Sequence, residues 1–285
     1  MLLWLLHIGI SPTGMIKIKI HSKRIITLLL CLCSLAASAQ DWNKKNAAVV
    51  LTYDDALNVH LDNAIPALDS LNLKGTFFLI GSSPAFTKRM PEWKKVASHQ
   101  HELANHTLFH PCDGSLPGRS FITPDYDLAS YSVRRITDEM TTTNTLLHAV
   151  DGKTERTFAY PCGDTKAGEA SYTDAVKGDF VAARGVQGEM VQKGNVDLYN
   201  VGSYMINGQS GDELIDMVKK AMQTHSMIVF LFHGVGGEHS LNVSLAAHSK
   251  LLHFLKDHQN EIWNPTFIEA AKYIKASGAA KKTNP

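Results

Sequence analysis

An α/β fold with a mostly parallel sheet covered by helices is what this sequence predicts. Short runs rich in β-branched and aromatic residues alternate with stretches whose apolar residues recur at helical spacing, the pattern of repeated strand–helix units. Several runs end in polar residues, as strands do when they deliver side chains to one rim of a parallel sheet. With the first 40 residues set aside, 245 of the 285 remain, a length that fits one domain built as a barrel or as an open sheet.

The first 40 residues read as an export signal. They hold Lys17, Lys19, Lys23 and Arg24 but no acidic residue, then an apolar run over 25–35, then Ala37-Ser38-Ala39. That is a basic region, a hydrophobic region too short to span a bilayer comfortably, and a small-residue cleavage site. Cleavage near Ala39 is expected, leaving a periplasmic or extracellular domain over 41–285 with no membrane span. This remainder carries 24 of the 28 basic residues and all 27 acidic ones, a formal charge near −3, and nothing in it suggests a nucleic-acid partner. Cys112 and Cys162 are its only cysteines. In an exported chain they pair or stay as thiols, and the sequence leaves both open.

Strands are expected at 47–53, 75–80, 102–104, 157–160, 180–183 and 227–232. Between them, Leu61, Ala64, Ile65, Leu68 and Leu71 mark one helix, and Leu128, Ile136, Met140 and Leu147 a looser one. Ser210 with Glu213 forms a capping box ahead of Leu214, Ile215, Val218 and Met222. Leu245, Leu251, Leu252 and Leu255 mark another helix, and Asn264-Pro265 reads as N-cap and first turn of the last.

The first strand runs "VVLTYDD" and stops at two adjacent carboxylates, Asp54 and Asp55. Like charges resist joint burial, so either water solvates both or something holds them: a metal, or work in acid–base chemistry. "ELANHTLFHP" places His106 and His110 after another strand, "TFAYPCG" places Pro161, Cys162 and Gly163 after a third, and "VFLFHG" places His233 after the last. On a helical turn His106 and His110 share a face. With one carboxylate they make a two-His, one-carboxylate set with an open position, suited to catalytic zinc or non-haem iron. Each feature alone is weak, since paired Asp commonly start a solvated loop and most of the 12 His after residue 40 must be structural. Their joint occurrence after successive strands carries the weight.

In "TYDD" at 52–55, "HELANHTLFH" at 101–110, "YPCG" at 160–163 and "LFH" at 231–233, in that order, the chain resembles the polysaccharide deacetylases, also called carbohydrate esterase family four. The resemblance covers roughly residues 46–276. It implies a distorted (β/α) barrel with fewer than eight regular strands. It implies Asp55, His106 and His110 as ligands of a divalent metal, usually zinc. Asp54 looks like the general base that deprotonates the attacking water and His233 like the general acid for the departing amine. Leu231 looks like part of the acetyl-methyl pocket. The backbone N–H of Cys162, in the turn with Tyr160 and Pro161, looks like an oxyanion donor, so those two flanking residues are expected against the substrate.

The chain also departs from that family. Ala159 stands where many relatives carry an Arg, and no Asp-Trp pair occurs near "DFVAARGVQG". Arg184 at that strand's end is expected to supply the missing guanidinium and hold Asp54 ionised; an Arg pairing elsewhere on the rim fits the sequence equally. "GVGGEHSLN" reads as a loop able to fold over a substrate, with His239 either touching sugar or, as preferred, solvated on it. His101 is expected as buried structure near the ligand loop. The expected protein is an exported hydrolase acting on N-acetylated carbohydrate polymers or oligomers. O-deacetylation of a xylan-type polymer is the close alternative, and a carbohydrate-binding relative without catalysis is the alternative of another class.

Overall fold

The structure, a computed structural model, describes residues 42–194 and 196–278. The expected export signal, 1–40, lies outside the described residues. In chain order the strands are β1 (Ala47–Asp54), β2 (Thr76–Leu79), β3 (Glu102–Asn105), β4 (Thr157–Ala159), β5 (Lys166–Ala167), β6 (Ala170–Ser171), β7 (Ala182–Arg184), β8 (Tyr204–Met205), β9 (Met227–Phe232), β10 (Gly234–Val235), β11 (Asn242–Val243) and β12 (Ile262–Trp263). The larger helices are α1 (Ile65–Leu71), α2 (Met90–Ser98), α3 (Val133–Asp151), α4 (Gly211–Gln223), α5 (Leu245–Asp257) and α6 (Phe267–Ala276). The main sheet runs β7-β4-β3-β2-β1-β9-β8, with β12 beside the start of β1, and its pairs are parallel. It curls into an incompletely closed barrel wrapped by helices, as the resemblance implies.

Strand alternation decides what faces where. Val49, Leu51 and Tyr53 of β1 pack outward with Leu68 of α1, Trp93 of α2, Val218 of α4 and Leu252 of α5. Ala48 and Val50 pack inward with Ala104, Ala159, Ala182 and Val229, against Phe267, Ala271 and Ile274 of α6. The alanines on several strands leave room for a helix to plug the barrel, since interiors are close-packed. Truncating an outer-layer leucine such as Leu252 to Ala would cost about 2–5 kcal/mol. Continuing the inward series puts Asp54 on β1, Arg184 on β7 and Leu231 on β9 on one face at the strands' C-terminal ends.

Polar groups lock the plug. Glu102 is buried and accepts hydrogen bonds from Thr76, Thr157 and the Ile268 N–H at the start of α6. Burial pushes its carboxyl up and those bonds hold it back. Two expectations about helix starts need correction. Thr266, not Asn264, caps α6, in a capping box with Glu269. Asn264 instead accepts from the Lys74 N–H (2.8 Å) and donates to the Val49 carbonyl (2.9 Å), tying the chain before α6 to β1. Leu128 lies in its own 3₁₀ turn, and α3 begins after Ser132, whose side chain caps it. The Ser210–Glu213 box starts α4 as expected. No described helix is long and apolar enough to cross a membrane.

Candidate active site

The five expected polar residues gather at the C-terminal rim. Several leave their strands through left-handed backbone: Asp55 (φ 81°), Ala56 (φ 54°), Thr107 (φ 64°), His110 (φ 56°) and Cys162 (φ 53°). None is glycine, so each conformation costs on the order of 1–3 kcal/mol and needs support from its surroundings. That support is visible. The Asp55 N–H donates to the Phe78 carbonyl (3.1 Å). Asn105 Oδ1 accepts from the Thr107 N–H (2.8 Å), Thr107 Oγ1 from the His110 N–H (2.9 Å), and Glu139 of α3 from the Phe109 N–H (3.1 Å). His106 and His110 therefore lie on a strapped loop, not on the helical turn their spacing suggests; the left-handed steps bring the rings together, with centroids 4.6 Å apart.

His106 Nδ1 sits 2.8 Å from the Ala159 carbonyl, which only an N–H can satisfy, so Nε2 keeps its lone pair. That Nε2 and His110 Nε2 each lie 3.6 Å from Asp55 Oδ1. Asp55 Oδ1 is buried without a hydrogen-bond partner. The three ligand-type atoms lie within 4.8 Å of one another. Two ligands about 2.1 Å from a zinc ion in tetrahedral array stand roughly 3.4 Å apart, so the set matches a common cation. Burial depresses His106 well below the ordinary imidazole value, keeping it neutral as a ligand must be. Burial would raise Asp55, but His110, His233 and His106 outweigh it and hold its carboxyl low.

Asp54 is buried and accepts a hydrogen bond from Arg184, itself fully buried. Arg184 also donates to the Gly185 carbonyl (3.2 Å) and Ser203 Oγ (3.1 Å). Of the two placements open to Arg184 in the sequence, the structure puts it on Asp54. His233 Nε2 lies 3.9 Å from Asp55 Oδ2. Burial lowers the His233 imidazole, while Asp54 and Asp55 pull it back up.

Cys112 and Cys162 form a disulfide joining the His110 loop to the Pro161–Gly163 turn. In that turn Gly163 donates to the Tyr160 carbonyl and Asp164 to the Pro161 carbonyl, which leaves the Cys162 N–H outside the turn's own bonds. Leu231 is buried on the inward face of β9. Pro161 is buried in the turn. Tyr160 requires a correction: its ring is buried with Phe158 and Tyr172, its hydroxyl donates to the Tyr199 carbonyl (3.0 Å), and it offers no side-chain surface to a substrate. His101 is buried as expected but precedes β3, at the end of the sheet away from the rim, where it accepts from the Gly75 N–H and meets Asp69.

Two histidines enter the site without a direct sequence signal. His239, expected in solvent in preference to contact with sugar, has Nε2 3.8 Å from Asp55 Oδ2 and its ring against His233. His60, buried, donates from Nε2 to the His233 carbonyl (2.8 Å) and accepts at Nδ1 from the Leu57 N–H (3.3 Å). Only the glycines before His239 hint that its loop turns back. Beside His110, Phe109 and Tyr126 stack with centroids 5.1 Å apart and stay exposed.

A family model described as polysaccharide deacetylase matches residues 41–177. Over that stretch, a little under half of its length, the chain is similar to the polysaccharide deacetylases. Arg184 and His233 fall beyond the matched stretch and are joined to it only by the fold. The uncharacterized protein YlxY of Bacillus subtilis is 27% identical over 106 residues, 37% of this chain and 28% of that protein. Peptidoglycan-N-acetylmuramic acid deacetylase PdaA of the same organism is 25% identical over 121 residues, 42% of this chain and 39% of that protein. The matches thus span well under half the length of these relatives. A Mycobacterium smegmatis structure assigned to the polysaccharide deacetylases superposes with TM-score 0.61 at 13% identity, covering 85% of this chain and 94% of that one; the likeness is one of fold.

Proposed function

We propose that this protein is a polysaccharide deacetylase, an exported, metal-dependent hydrolase that removes N-acetyl groups from a polysaccharide or oligosaccharide. The observation that carries the reading is the buried, unbonded Asp55 Oδ1 faced by the Nε2 atoms of His106 and His110, with Asp54 and His233 beside it. Two neutral nitrogens and one anionic oxygen suit a borderline divalent cation, zinc first, and Asp55, His106 and His110 would hold it. When bound, such an ion makes water a strong nucleophile near neutral pH and polarises a carbonyl.

The chain's own groups supply the rest. Asp54, anchored through Oδ2 by Arg184, has Oδ1 free of hydrogen bonds and takes the proton of the attacking water. The Cys162 N–H donates to the acetyl oxygen as charge builds there. His233 gives a proton to the departing nitrogen, since an amine leaves poorly without one. Its burial makes it a readier donor once protonated. Leu231 lines the space for the acetyl methyl, and the Phe109–Tyr126 stack offers an apolar face to a pyranose ring.

The test is acetate release by the mature chain from N-acetylated peptidoglycan fragments, chitin oligomers and exopolysaccharide, and from O-acetylated xylan, with and without chelator. Chelator-sensitive release from an N-acetylated member is the expected result. Release from xylan alone transfers the reading to ester hydrolysis, because an ester asks less of the acid. Release from none after zinc supplementation favours a binding protein without catalysis.

A further inference from the structure

His233, the acid of the proposed reaction, lacks what usually orients a catalytic imidazole. Its Nδ1 is buried with no hydrogen-bond partner. Its Nε2 stands 3.9 Å from Asp55 Oδ2, beyond hydrogen-bond length. No hydrogen bond to either nitrogen sets the plane of the ring. A parallel neighbour does: the His239 ring lies over it at 4.7 Å between centroids with 13° between planes.

The loop that carries His239 is built to keep it there. β10 and β11 pair at its base, and Asn242 Oδ1 accepts from the Gly237 N–H (2.8 Å). Glu238 accepts from Asn58 Nδ2 and from the Val59 N–H, both at 2.7 Å, which pins the loop to the segment following Asp55. His239 Nδ1 accepts from the Leu241 N–H (3.0 Å), fixing that ring in turn and leaving the proton on Nε2, toward Asp55. The turn needs left-handed backbone at Gly236 (φ 79°), Gly237 (φ 138°) and Glu238 (φ 66°). A Cβ on Gly236 would stand 2.6 Å from Leu245. So much constraint for one half-exposed side chain implies that its place matters.

We propose that His239 is a positioning residue for His233: its stacked ring holds the plane of the His233 imidazole in place of a hydrogen bond at Nδ1. The role rests on the reading that His233 protonates the leaving nitrogen. It makes a prediction specific to the leaving group. An acetamide needs the acid, whereas an aryl acetate, whose leaving group departs as a stable anion, does not.

The test compares wild type, His239→Phe, which keeps a flat stacking ring, and His239→Gln, which does not, on an N-acetylated oligosaccharide and on an aryl acetate, each zinc-loaded. His239→Gln is expected to lose about tenfold or more in kcat on the amide, with KM changed less than about threefold, and to stay within about threefold of wild type on the aryl ester. His239→Phe is expected to recover most of the amide rate. Equal losses on both substrates, no loss, or a Phe variant no better than Gln each overturn the role and leave the hydrolase reading standing. A wild-type chain inactive on both overturns the reading and the role with it.

Discussion

Arg184 and Asp54, 130 residues apart in the chain, meet in a buried charge-assisted hydrogen bond between the last residues of β7 and β1. Removing one partner of such a pair leaves the other charge uncompensated, at a cost of about 3–5 kcal/mol. Arg184→Ala is therefore expected to unfold at lower denaturant and to lose at least about tenfold in turnover. Arg184→Lys should recover little of it, because an ammonium cannot reproduce the fork that also reaches Gly185 and Ser203. Unchanged turnover in Arg184→Ala would end the proposal that it anchors the base.

Asp55→Ala and His106→Ala should each empty the cation site. After dialysis the wild type is expected to retain roughly one zinc per chain and each variant less than about a tenth of that. Metal analysis checks this without reference to activity. Variants as metal-rich as the wild type would sink the ligand assignment.

How much of this is legible in the sequence follows from which physics sets each part. The strand ends are legible because apolar runs stop at polar residues, at Asp54 in "AAVVLTYD" and at His233 after "MIVFLF". Tyr160 could be placed too, because period-two alternation sends Ala159 inward and Phe158 and Tyr160 outward, so adjacency to a motif is not access to it. The His106–His110 loop is not legible. Its spacing matches a helix, and its left-handed turns fall on residues other than glycine, held by Asn105 and Thr107 within the motif and by Glu139 from outside it. His239 is hidden for a related reason: paired glycines permit a sharp turn without saying where it leads.

The Cys112–Cys162 bridge spans 50 residues and should contribute about 2–4 kcal/mol. Because it fastens the His110 loop to the Cys162 turn, losing it should affect the site as well as the fold. Reductant or Cys112→Ser is expected to lower the melting temperature by about 5–15 °C. Zinc should then pass to a competing chelator faster than from the oxidised chain. A reduced protein that melts and holds zinc as the oxidised one does would show the bridge to be idle.

Phe109 and Tyr126 expose a stacked aromatic surface next to a proposed metal ligand. If a sugar ring rests there, losing either face should cost about 1 kcal/mol of binding, taking aromatic pairs as a guide. Phe109→Ala and Tyr126→Ala should then raise KM about fivefold for an oligosaccharide, with kcat little changed. A monosaccharide substrate too short to reach the stack should show no difference. Equal effects on both substrate lengths would mean that the rings only support the His110 loop.

Acid should unfold this protein through histidines buried without charge. Burial lowers both His60 and His248 to about 4, and His248 is further occupied by the Tyr53 hydroxyl at 2.8 Å. In the unfolded chain each titrates near 6.5, so between about pH 6.5 and 4 the unfolded state takes up protons that the folded state refuses. Their contribution is complete above that window, declines as pH falls through it and is gone below about 4. Each is worth on the order of 3 kcal/mol across the window. Denaturant unfolding with chelator present, so that metal release adds nothing, should show stability falling over this range. His106 and His233, also lowered by burial, add to the same slope. His248→Gln, which can still meet Tyr53 but cannot take up a proton there, should flatten the slope in part; a variant as acid-sensitive as the wild type would assign the effect elsewhere.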